Sequence, residues 1–295
     1  PRSWVGDLGA HCADQLCAAG HLVFRFDMPG LGDSPGDLPV HLEVLWNFIL
    51  EGGHAAYAAA LSTEILRRFS LQGLVLGGFC GGCATALLAC SPRSEDIQGL
   101  ILLEPELGFV PVSGGAVPAK AYEIKHVTGF LERKELLWRR LRSPRSWLRL
   151  LSGNSDLAFW AKLVPYMASR VNHKLRGHKL PPETNLALVD RWKSCAKNRL
   201  PILVLTVGHP TRRKYYESYG FKPGQSVESL TWVEIEGTTH AMVSGGAKDS
   251  VPAHLSKWMS EHFPVNRLAP SLSCQDIQRK SSETNLECAE IQCKT

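Results

Sequence analysis

Apolar positions near the start of the chain recur at helical spacing, with Val5, Leu8, Cys12, Leu16 and Ala19 on one face. Gly20 follows as a helix-closing residue would. The period then changes. Leu22-Val23-Phe24-Arg25-Phe26 is short, aromatic and β-branched, which predicts a strand. It runs into Asp27-Met28-Pro29-Gly30-Leu31-Gly32-Asp33-Ser34, whose residues suit a tight turn. A loop with Pro35 and Pro39 leads to an alanine-rich helical stretch from His54 to Phe69.

Further along, Leu74-Val75-Leu76, Ile101-Leu102-Leu103, Ile202-Leu203-Val204-Leu205 and Leu230 to Ile235 read as buried strands. Helical stretches separate them: Ala84 to Ala89, Arg212 to Tyr219, and a final helix carrying Val251, Leu255, Trp258 and Met259. Strands alternating with helices predict an α/β fold, a mainly parallel sheet with helices on both faces. Between 107 and 199 the texture is tryptophan, arginine and leucine at helical spacing without a convincing strand, which predicts a helical cap inserted into a core of 1–106 and 200–264. Residues 265–295 are polar and serine-rich, and are expected to form a disordered tail.

Composition narrows the class. With 295 residues and 44% hydrophobic content the chain can bury a full core. No apolar run reaches the roughly 20 residues of a membrane span, and no signal-type segment opens the chain. The net charge of +5 owes much to Arg133, Lys134, Arg139, Arg140, Arg142, Arg145 and Arg149, read as a solvated helix face and not as a nucleic-acid surface. Nine cysteines without dense regular spacing point to a reducing compartment, and the cytoplasm is the expected location. Neither a cofactor nor a metal is expected, because one C-x-x-C without a matching pair is too little for a zinc site.

The chemistry concentrates at Gly78-Phe79-Cys80-Gly81-Gly82, where an apolar strand turns sharply into a helix. A cysteine at a helix N-terminus has its thiolate favoured by the helix dipole, and a histidine that takes its proton makes it an effective nucleophile. His240, in Glu236-Gly237-Thr238-Thr239-His240 just past the last strand, is the candidate base. The amide of Gly81 is the candidate oxyanion donor. Glu106 is the candidate acid, with Glu104 and Glu217 as alternatives, because the loop Gly208-His209-Pro210-Thr211 after the strand at 202 offers no carboxylate.

Together the elbow, the turn Arg25 to Ser34, the segment Leu141 to Leu151 and the closing Glu236 to His240 resemble the α/β-hydrolase superfamily over about residues 1 to 260. More narrowly, the chain is similar to the hydrolases that accompany bacterial exosortase and exopolysaccharide systems. The resemblance implies an α/β-hydrolase fold with Cys80 in the nucleophile's place and His240 in the base's, and puts His209 where such hydrolases commonly carry aspartate. It also implies that the strand before Asp27 is the fourth of the family's sheet. A third strand, with the oxyanion loop after it, would precede residue 1, so the first strands are expected to be missing and the chain to be N-terminally incomplete.

The leading expectation is therefore a hydrolase or acyltransferase acting on a small-molecule ester, thioester or lactone through a Cys-His centre. A second is a catalytically impaired binding protein of the same fold, supported by the missing acid and oxyanion loop. A third reads Cys80-Gly81-Gly82-Cys83 as a thiol-redox pair in which Cys83 resolves a disulfide.

Overall fold

The computed structural model describes residues 4–91, 96–109, 180–181, 183–225, 229–244, 246–265 and 289–292. They fall into two compact units. The first comprises Pro1–Val110, Asn185–Gly208 and Pro223–Thr295, and the second Pro111–Thr184 and His209–Lys222.

In the first unit, α1 (Leu8–Ala18) ends as its sequence demands. Gly20, at φ +94°, donates its amide to the carbonyl of Cys17, and His21 reaches back to Leu16, so two otherwise orphaned carbonyls at the helix end are satisfied. Strand β1 (Val23–Phe26) follows. The turn after it is built around the buried Asp27, whose backbone carbonyl accepts from Ser34 Oγ at 2.7 Å. Gly32 passes so close that a Cβ there would sit 1.9 Å from Asp27 Oδ2, and its φ of +57° also favours glycine.

Four strands form the parallel sheet: β2 (Leu74–Phe79), β3 (Ile97–Leu103), β4 (Ile202–Val207) and β5 (Leu230–Ile235), adjacent in that order. Alternation sorts their side chains. Ile101, Leu103, Leu203, Leu205, Val207 and Ile235 pack with Leu8, Cys12 and Leu16 of α1 and with Val251, Leu255 and Trp258 of the closing helix, whose core lies on that face. The other face is covered by α4 (Gly81–Ala89) and α5 (Leu186–Lys197). There Trp192 of α5 stacks on Trp232 of β5 at 5.7 Å, and Trp232 Nε1 donates to the buried Thr206 Oγ1 at 2.9 Å. The parallel sheet with helices on both faces is thus the one the alternation predicts.

Three details differ from the sequence expectations. Helix α2 (Leu42–Leu50) stands where a loop is expected, and it is followed by α3 (Ala55–Phe69). Leu42, Leu45, Trp46, Ile49 and Leu50 recur at helical spacing, a signal blurred by the further apolar Val44 and Phe48, and of the stretch only Leu50 is fully buried. Helix α5 falls inside the span assigned to the cap, yet Leu188, Val189, Trp192 and Cys195 are buried and the helix packs on α4, so the core resumes near Asn185 and not at 200. Most of the expected cap, residues 110–179 with its arginine-rich segment, lies outside the described residues.

Third, β1 pairs antiparallel with β6 (Ala289–Gln292), four residues of the expected tail, in register from Val23 opposite Gln292 to Phe26 opposite Ala289. This pair is a separate two-stranded sheet and does not join β2. Phe24 packs on Phe69 of α3 at 4.9 Å, within a small cluster of Leu61, Ile65 and Phe69.

In the second unit, α6 (Pro210–Ser218) starts with proline at its first turn. Arg212 lies over the rings of Tyr215 and Tyr216 at 4.7 and 5.0 Å. The closing helix of the first unit is α7 (Ala247–His262).

Candidate functional site

Cys80 joins β2 to α4 with φ +53° and ψ −114°, a backbone conformation that a side-chain-bearing residue adopts only when its surroundings force it. The forcing is visible. A Cβ on Gly78 would lie 2.2 Å from the carbonyl carbon and oxygen of Gly82, so strand and helix meet backbone to backbone there and only glycine fits. The Cys80 amide donates to Leu103 O at 2.8 Å, which fastens the turn to β3. Cys80 itself remains partly exposed at the N-terminus of α4. Gly81 is the first residue of that helix, where amides have no partner within the helix, with Trp46 and Ile49 of α2 close beside it.

Three residues on, Cys83 has the opposite fate. It is wholly buried, with its sulfur 3.1 Å from Gly78 O and 3.2 Å from Leu103 O. Burial, with the negative charge of Cys80 beside it, pushes its thiol well above the ordinary range. Both cysteines are free, and Cys83 acts as a hydrogen-bonded pin under the elbow.

His240 follows β5, and its ring comes beside Phe79 and Cys80 of the elbow. Its Nδ1 lies 2.9 Å from Glu104 Oε2, so the ring's other nitrogen, Nε2, is the one left for Cys80. Burial alone would lower the histidine's pKa, but hydrogen bonds to Cys80 and Glu104, and their charges, outweigh it and push it up to about 10. Phe79 packs on the imidazole at 5.5 Å, and Trp4 stacks on Phe79 at 5.8 Å, which holds the ring's orientation.

Glu104 sits one residue past β3 with φ +51° and no solvent exposure. A buried carboxylate is tolerated only with partners. Its partners include His240 on Oε2 and, on Oε1, the backbone amide of Val207 at 2.5 Å. The carboxylate on Nδ1 is therefore that of Glu104 and not of Glu106, the first candidate. Glu106 is nevertheless close by and buried, and one of its carboxylate oxygens, Cys80 Sγ and a ring nitrogen of His240 all lie within 4.8 Å of one another. These three are also the residues at this site whose donor atoms could hold a metal ion.

Glu217, the remaining alternative, is exposed on α6 in the second unit. His209 is exposed too, and its Nδ1 accepts from the amide of Thr211 at 3.2 Å, so it caps α6. Trp138, Trp147, Phe159 and Trp160, aromatic residues of the expected cap and so candidates either to line a substrate site or to pack cap helices together, lie outside the described residues. What the sequence reading missed is the support around the histidine, Trp4 and Phe79, and Trp46 beside Gly81. Phe79 was visible inside the elbow motif, but nothing local marks Trp4 as its partner.

Comparison with solved structures gives distant likenesses. A thermophilic esterase from Thermogutta terrifontis is similar at 18% identity and TM-score 0.42, covering 89% of this chain and 86% of its own. A peroxisomal α/β-hydrolase from Saccharomyces cerevisiae is similar at 14% identity and TM-score 0.38, over 81% and 69%. An extracellular α/β-hydrolase from a Paenibacillus species is similar at 14% identity and TM-score 0.35, over 86% and 93%. No curated protein matches the chain. The alpha/beta hydrolase family model matches residues 1–247, a span that contains the elbow at Cys80, both glutamates after β3 and His240, and the chain thus belongs to the alpha/beta hydrolase family.

Proposed function

We propose that this protein hydrolyses an ester, thioester or lactone, or transfers its acyl group, through Cys80 as nucleophile, His240 as base and Glu104 as the acid that orients it. The observation that carries this reading is the line from Glu104 Oε2 to His240 Nδ1 at 2.9 Å, continued by Cys80 Sγ, which lies within 4.8 Å of a ring nitrogen of the histidine.

The chemistry follows from the charges. His240, protonated through the neutral range, is the counter-ion of a Cys80 thiolate, and Glu104 stabilises the imidazolium without taking its proton. The thiolate attacks the acyl carbonyl carbon, and the Gly81 amide supports the developing oxyanion. As the carbon–oxygen or carbon–sulfur bond to the leaving group breaks, Nε2 gives that group its proton. Water or another acceptor then attacks the thioester, His240 takes the proton back, and the thiolate is restored. Esters and thioesters suit a thiolate because their leaving groups depart readily. The binding-protein reading draws its support from a missing acid and a missing oxyanion loop, and Glu104 supplies a carboxylate for the first. The redox reading needs Cys83 to meet Cys80, while its sulfur is engaged by two backbone carbonyls. The narrower similarity to exosortase-associated hydrolases is a proposal on the sequence motifs alone.

The test is acylation by a p-nitrophenyl ester, followed by intact-mass measurement and release of p-nitrophenol. Wild type should show a stoichiometric burst with an acyl group on Cys80, Cys80→Ala none, and Cys80→Ser a rate about 10²-fold lower or less. Equal labelling of all three would overturn the nucleophile assignment.

A further inference from the structure

The proposed mechanism leaves Glu106 without a role, although it brings a buried carboxylate to the reacting pair. A thiol, an imidazole nitrogen and a carboxylate oxygen within 4.8 Å of one another are the donor types from which zinc sites are made. Tetrahedral zinc, with ligands at about 2.0–2.3 Å, holds its donor atoms roughly 3.3–3.8 Å apart. Side-chain rotation of about 1 Å closes the difference. The histidine is also prepared as metal-ligating histidines are. Its other nitrogen is held by a carboxylate, Glu104 at 2.9 Å, which fixes the ring and strengthens it as a donor. Cys80 and His240 are each partly exposed, so a cation can reach them.

We propose that Cys80, His240 and Glu106 form an inhibitory site for a zinc-class divalent cation, which competes with the acyl substrate for the nucleophile. Binding is ligand exchange without redox change. The one proton of the Cys80–His240 pair, carried on Nε2 opposite the thiolate, leaves to solvent, and the cation gains sulfur, nitrogen and oxygen ligands in place of waters. Thiolate and imidazole select Zn²⁺ and Co²⁺ over Mg²⁺ and Ca²⁺, which prefer all-oxygen sites. The consequence for turnover rests on the nucleophile reading given above, but the cation site itself is read from the three side chains.

The experiment uses the full chain. Titration with Co²⁺ should raise a thiolate-to-cobalt charge-transfer absorption in wild type that is lost in Cys80→Ala. Zn²⁺ competition against a chromophoric chelator should show Glu106→Gln binding about 10–100-fold more weakly than wild type. If Cys80→Ala fails to fold, alkylation of wild-type Cys80 by iodoacetamide, read by peptide mass, gives the same answer. Saturating Zn²⁺ should protect it and a chelator should restore labelling. Equal absorption in wild type and Cys80→Ala, equal affinity in Glu106→Gln, or unprotected Cys80 would each overturn the site. Failure of the two readings is separable. Cation binding without ester turnover sinks hydrolysis alone, whereas turnover indifferent to Zn²⁺ with Cys80 unprotected sinks the cation site alone.

Discussion

The ends of β3 and β4 lie side by side in one parallel sheet, and they are used in different ways. After β3 the chain turns into a left-handed residue, Glu104, which is fully buried and tied on both oxygens. After β4 it runs through Gly208 into His209, which is exposed and spends its ring nitrogen on capping α6. Equivalent places in a sheet therefore do not carry equivalent chemistry. What decides is whether the residue past the strand is turned inward and given partners for its charge, or left to start the next helix.

The largest expected effect separates the two ends directly. Glu104→Gln keeps the shape and removes the charge that, in the proposed mechanism, orients and stabilises the protonated base, so kcat/KM for a chromogenic ester should fall about 10³–10⁴-fold. His209→Ala should leave it within about twofold. Equal losses in both variants would erase the distinction, and a reversed order would move the acid to the β4 end.

A smaller effect concerns stability. His240 has its pKa raised from 6.5 to about 10, so the folded state binds its proton more tightly than the unfolded chain does. That contribution is fully present below pH 6.5, declines as pH rises, and is lost above about 10. Its size should be on the order of 5 kcal/mol. Urea denaturation of wild type and His240→Gln should accordingly show a gap in stability that narrows from pH 6 to pH 10. A constant gap would mean that the ring is held by packing on Phe79 and not by its charge.

The smallest effect lies at the other end. His209→Ala removes the side-chain acceptor of the Thr211 amide and should cost about 0.5–1 kcal/mol, read as faster amide exchange in α6. A substitution to aspartate, a stronger cap, should restore it. Loss of ester turnover without loss of helix protection would assign His209 a part in the chemistry.

The sequence was most legible where a local backbone demand leaves a local mark. The elbow shows in its glycines because Gly78 touches the backbone of Gly82, and the end of α1 shows in Gly20 because a left-handed residue closes it. The choice between Glu104 and Glu106 left no such mark. Two carboxylates one residue apart look alike along the chain, and it is the neighbouring strand, through the Val207 amide, that engages the first. Cys83 was ambiguous for a related reason, since C-x-x-C spacing does not say that its sulfur points at Leu103 O. Helix α5 was readable as a helix, but helical periodicity does not tell which body a helix packs on.

The hydrogen bond from the Val207 amide to Glu104 also bears on how such a site could change over generations. Hydrolases of this superfamily commonly place the acid after the strand that is β4 here, and in this chain the last residue of that strand already holds the carboxylate of the strand beside it. The two alternative acid positions are thus one hydrogen bond apart. A lineage could pass from one to the other by point substitution through an ancestor carrying both carboxylates, with the sheet, the elbow and the base left where they are.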